Sequence, residues 1–121
     1  MNLAPTKPPI LLACALSVGL AGCMPSILQY DRGNPVVMSS LQQGATRESV
    51  LSAAGQPLDA TVLPGIKGVC YDYILRNRGN SSPYYVAFNA QGRVVNAGYI
   101  ACRKALASGY LESSEPIQPR Y

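Results

Sequence analysis

The sequence predicts an α+β fold, with one or two short N-terminal helices packed on a three-stranded antiparallel sheet and a fourth strand open. Two observations carry that expectation. Beyond Pro57 the spacing of apolar residues changes from three and four to two, the mark of a passage from helix to strand. Once the N-terminal segment is set aside, about a hundred residues remain, enough for one core and its tethers but not for two.

Val36, Val37, Met38 and Leu41 begin an apolar pattern that Gly44 interrupts, which predicts a short helix or turn closed by a glycine cap. The next helix is better marked and should run from Arg47 to Ala54. Thr46 can accept from its first amides, Glu48 lies in the first turn where the helix dipole favours an anion, and Gly55 with Pro57 ends it. Val50, Ala53 and Ala54 form a narrow apolar stripe with Leu51 at its edge, suited to packing on a sheet. Three strands are predicted at Val69 to Leu75, Tyr84 to Phe88 and Val94 to Ala101, with a short extra one open at Ala60 to Leu63. Asn77 to Ser82 and Asn89 to Gly92 supply the glycine and asparagine of two hairpin connections. Of the tyrosines, Tyr73 is expected in the core and one of Tyr84 and Tyr85 on the surface. Residues 105–121 mix serine, glycine and proline with isolated apolar residues, so a flexible tail is expected there.

The N-terminus carries a different signal. An apolar run from Ile10 to Ala21 follows the lone charge of Lys7, too short for a mature spanning helix but suited to export. It closes on Leu20, Ala21, Gly22 and Cys23, a lipobox whose cysteine can take a diacylglycerol. Residues 1–22 then read as a lipoprotein signal peptide, 23–35 as a lipidated tether, 36–104 as the domain and 105–121 as the tail. Two or three fatty chains, palmitate among them, make such an anchor practically permanent, because each buried methylene contributes about 0.8 kcal/mol. Met24 in place of Asp after the cysteine resembles the sorting signal that sends bacterial lipoproteins to the outer membrane.

Composition narrows the chemistry. The chain has no histidine, so a Ser/His/Asp triad, a Cys/His dyad and every histidine zinc site are excluded within it. Asp31, Glu48, Asp59, Asp72, Glu112 and Glu115 are scattered, without the facing pair that acid/base hydrolysis needs. No enzyme, metal, cofactor or small-molecule substrate is expected. The formal net charge of +4 is spread, with local pairs at Arg76 and Arg78 and at Arg103 and Lys104. That is no nucleic-acid footprint, though basic residues beside a membrane can meet anionic lipid. Cys14 leaves with the signal peptide and Cys23 is consumed by lipid, so Cys70 and Cys102 remain; in an oxidising compartment such a pair usually joins.

Gly44, Thr46, Val50, Gly55 and Pro57 reproduce a helix-and-turn pattern, and the chain thereby resembles the SmpA/OmlA, or BamE-like, family of small outer-membrane lipoproteins. Cys70, Tyr73, Ile74 and Leu75, then Val95, Asn96, Gly98, Tyr99 and Cys102, with Tyr30, Asp31 and Arg32, are most similar to its osmotically inducible lipoprotein E branch. The resemblance covers roughly Tyr30 to Cys102 and departs at Ala45, where the wider family has Met. It implies two short helices on an antiparallel sheet, an outer-membrane lipid anchor at Cys23, the pair Cys70 and Cys102, osmotic induction and no enzymatic activity.

In a plain three-strand meander Cys70 begins the first strand and Cys102 follows the third, so the two should lie at opposite ends of the sheet. That is too far for a disulfide, which holds its α-carbons about 6 Å apart. Either the strand order differs, or the chain folds back near Cys102, or the bond joins two molecules; an intramolecular bond is expected. The expected function is a non-enzymatic lipoprotein of the outer membrane, facing the periplasm and presenting a small binding domain for envelope maintenance under osmotic stress. The alternative is an accessory scaffold of outer-membrane β-barrel assembly, binding protein subunits or anionic lipid through the helices and the loop carrying Arg76 and Arg78.

Overall fold

The structure is a computed structural model and describes residues 33–117. The first helix, α1 (Pro35–Ser40), starts where the Asn34 side chain accepts from the Val36 amide at 3.0 Å and Pro35 occupies the first turn, needing no amide partner. Pro35 thus belongs to the helix and not to the tether, and the helix ends at Leu41, three residues before Gly44. Helix α2 (Arg47–Ala54) has the predicted limits. Thr46 and Ser49 cap each other reciprocally, the Thr46 hydroxyl accepting from the Ser49 amide at 3.1 Å and the Ser49 hydroxyl from the Thr46 amide at 2.9 Å. Gly55, with φ of 82°, stops the helix. Of the expected stripe Val50 is fully buried, whereas Ala53 faces solvent.

Four strands follow: β1 (Asp59–Leu63), β2 (Gly68–Asn77), β3 (Asn80–Phe88) and β4 (Val94–Gly98). They form one antiparallel sheet in sequential order, so the strand left open at Ala60 to Leu63 is a member of it. The β2–β3 hairpin is longer than predicted because its turn shrinks to Arg78 and Gly79, with φ of 53° and 84°. Positive φ at both central residues is the turn whose twist matches that of paired strands. Between β3 and β4 the Asn89 carboxamide oxygen accepts from the amides of Gln91 and Arg93, each at 3.0 Å, and closes the connection. Val95 is inserted where Ala87 pairs with Asn96 but Phe88 with Val94, a bulge that brings Ala97, three residues on, to the same face as Val94 while Val95 buries on the other.

One face of the sheet packs against α1 and α2 through Val37, Val50, Leu75, Val86 and Phe88. Tyr84 is buried there, its hydroxyl sharing a 2.8 Å hydrogen bond with that of Ser40, and Tyr85 is buried on the opposite face. The expectation that one of these two would be exposed is therefore corrected: each face carries its own cover. The second cover is a helix, α3 (Cys102–Ala107), which lies with Leu111 over Leu63, Cys70, Ala87 and Val95.

That helix also corrects the reading of residues 105–121 as a flexible tail, as far as they are described. After α3 the chain passes round the outer edge of β4. Asn96 Nδ2 donates to the Tyr110 carbonyl and Asn89 Nδ2 to the Ser114 carbonyl, each at 2.9 Å, and the Ile117 amide donates to the Val94 carbonyl at 3.1 Å. Leu111 packs on one face and Ile117 on the other. Ala105, Leu111 and Ile117 are too widely spaced to show a period, so only the tertiary contact makes them core.

Candidate functional site

Two neighbouring features stand on the α3 side of the sheet. The first is the junction of β2 and α3, where Cys70 and Cys102 form a disulfide with α-carbons 6.0 Å apart, both side chains fully buried. The strand order is the plain meander, and the apparent conflict of distance dissolves for another reason. β4 ends at Gly98, three residues short of the predicted Ala101, and sits opposite Tyr85, itself opposite Asp72. The chain then turns and sets α3 back across the sheet. Asp72 completes the junction: its Oδ1 accepts from the Cys102 amide at 2.8 Å, replacing the cap that Ala101 cannot offer. In the sequence Asp72 is one of six scattered carboxylates, and nothing in its spacing marks it as a cap delivered from a strand. Beside the junction a half-open cleft of about 370 Å³ lies between Asp59, Thr61 and Asp72 on the sheet and Arg103 and Lys104 on the helix.

The second feature is the outer half of the β2–β3 hairpin. Pairs from Tyr73–Tyr84 to Asn77–Asn80 extend past the last paired residues of β1 and β4, Asp59 and Gly98, and make an arm. Its inner face is held down by Tyr73, Leu75 and Tyr84, the Tyr73 hydroxyl donating to the Gly55 carbonyl at 3.0 Å. Its outer face presents Ile74, 40% exposed, with exposed Pro83 opposite, then Arg76, and Arg78 at the turn. The arm holds no carboxylate, and among the described residues the salt bridge present is Arg47–Glu48, elsewhere, at 3.9 Å. The two arginines singled out from sequence are thus brought together at the end of a cationic, partly apolar projection, whereas Arg103 and Lys104 sit on α3. Cys23 lies outside the described residues.

Burial raises the Tyr73 phenol to about 12, with the neighbouring Tyr71 adding to the rise, and also raises that of Tyr85, with a further contribution from Tyr110. Both stay neutral well beyond neutral pH. Among the described residues no three His, Cys, Asp or Glu side chains converge on a metal position, and no helix is long and apolar enough to cross a membrane.

No family model matches the chain. It is 34% identical over 94 residues to a protein of Escherichia coli K12 named osmotically-inducible lipoprotein OsmE, a match covering 77% of this chain and 84% of that one. The OsmE of E. coli O157:H7 matches to the same extent. A solved crystal structure of an osmotically inducible lipoprotein OsmE is similar with a TM-score of 0.62 at 27% identity, over 70% of this chain and 88% of that one.

Proposed function

The chain belongs to the OsmE family of lipoproteins, and from that membership we propose that it is a non-enzymatic outer-membrane lipoprotein holding a small binding domain in the periplasm. The observation that carries this reading is the lipobox cysteine, Cys23, placed ten residues ahead of Gly33 and of a domain shared with proteins named lipoproteins. Residues 1–22 serve as the signal peptide, and diacylglyceryl and palmitoyl chains on the new N-terminus supply the anchor. Ten residues of chain reach at most about 35 Å, so the domain works close to the leaflet. Confinement there raises the effective concentration toward any envelope partner and lets a weak contact suffice for envelope maintenance under osmotic stress.

Replacing Cys23 with Ser tests the anchor. The variant should lose labelling by radioactive palmitate and move from the outer-membrane fraction to the soluble periplasm; undiminished membrane retention would sink the proposal. Transcript and protein should also rise with external osmolarity. A second reading, an accessory scaffold of β-barrel assembly that binds protein subunits or anionic lipid, is favoured by the cationic arm. Under it, replacing Arg76 and Arg78 with Glu should abolish copurification with barrel-assembly components while leaving membrane retention unchanged.

A further inference from the structure

The two edges of the sheet are treated differently by the chain. The β4 edge is occupied: the Val94 amide donates to the Ala45 carbonyl at 3.2 Å, its carbonyl accepts from Ile117, and Thr46 forms a bridge with Arg93. β1, at the other end of the strand order, has no strand beyond it among the described residues. Val62 within it is 72% exposed, and Leu58 just before it 73%. An open edge is a template for another strand, and proteins usually blunt one with lysine, with proline inside the strand, or with a covering element. Here both prolines, Pro57 and Pro64, stand outside Asp59–Leu63, and the strand's lone charge is Asp59 at its first position.

We propose that this edge pairs with the same edge of a second copy of the chain, antiparallel about a two-fold axis through Thr61, joining two four-stranded sheets into one. The pattern of β1 is self-complementary in that register. Ala60 comes opposite Val62 of the second copy and Val62 opposite its Ala60, gathering exposed apolar side chains on the α1–α2 face. On the other face Thr61 meets Thr61, a favourable cross-strand pair. Each Asp59 comes opposite Leu63, leaving the two carboxylates about four residues apart along the strands, beyond about 10 Å and largely screened at 0.1 M salt. Slipping each strand by two residues toward a centre at Asp59 would set the carboxylates against each other, and a slip by one would turn the apolar set to the wrong face. A five-residue edge is smaller than the roughly 1,200 Å² of a stable interface, so the association is weak and depends on concentration. It belongs to the folded domain and does not require the lipid at Cys23.

Full-length chains carrying Ala60→Cys and Val62→Cys, tagged differently and expressed together, give the test, with a Met38→Cys plus Val62→Cys pair as the control. All three positions are exposed, so the fold should tolerate them, but Met38 lies on α1 and not on the strand. Mild oxidation should give a mixed disulfide dimer from the first pair, several-fold above the control, both with and without Cys23→Ser. Equal yields from the two pairs would overturn the inference, as would crosslinking of β1 to a different envelope protein in place of its own copy. With Cys23→Ser both yields should fall as confinement is lost while their ratio is kept, so equal yields in that background would also count against it; membrane retention, scored separately, reports on the anchor alone.

Discussion

Tyr73 joins the sheet to the end of α2 through its hydroxyl on the Gly55 carbonyl, and a phenylalanine there would leave that carbonyl short of a partner. Tyr73→Phe should cost about 1 kcal/mol in chemical denaturation. The same residue sets a pH dependence. Its phenol ionises near 10 in the unfolded chain and near 12 in the fold, so between those values the unfolded state has released a proton that the native state retains. Stability from this group is complete below pH 10 and falls as pH rises toward 12; the variant should show a shallower alkaline decline. Gly68 makes a different demand, since a Cβ there would run into the carbonyl oxygen of Phe88 on the paired strand. Backbone cannot yield as a flexible side chain can, and Gly68→Ala should destabilise by about 1–3 kcal/mol, with loss of amide protection at the start of β2.

At the scale of the element, α3 has six residues and no cap of its own, and a helix so short is not stable in isolation. It forms because Asp72 caps it from β2, the disulfide ties down its first residue, and Ala105 and Leu111 bury on the sheet. Asp72→Ala should cost about 1 kcal/mol and speed amide exchange over residues 102–105. Asp72→Asn, which keeps an acceptor oxygen, should recover most of the loss. Helix α2 differs in that its reciprocal cap is local, so Thr46→Ala should cost a similar amount and leave α3 unaffected.

For the molecule as a whole, the bond between Cys70 and Cys102 closes a loop of 32 residues and binds the second cover to the sheet. Replacing both cysteines with Ser should lower stability by about 3–4 kcal/mol, read from the denaturant midpoint. Proteolysis should then begin at residues 102–117, since the helix and the segment rounding β4 lose their covalent hold, while the face packed on α1 and α2 stays protected.

The sequence by itself determined what depends on neighbours along the chain: helix α2 with its Thr46 cap and glycine stop, the period-two strands and the turn residues. Local propensity and alternation suffice for these because each is decided within a few residues. Only the tertiary structure decided what depends on residues far apart. Tyr84 and Tyr85 are both core because each face of the sheet has a cover, and Asp72 is a cap because α3 begins above it. Leu111 and Ile117 are ordered because they grip the two faces around β4. The meeting of Cys70 with Cys102 turned on where β4 ends, a limit that alternating residues past Gly98 concealed. A strand's pattern states which side chains share a face, but what comes to lie on that face is settled by the path of the rest of the chain.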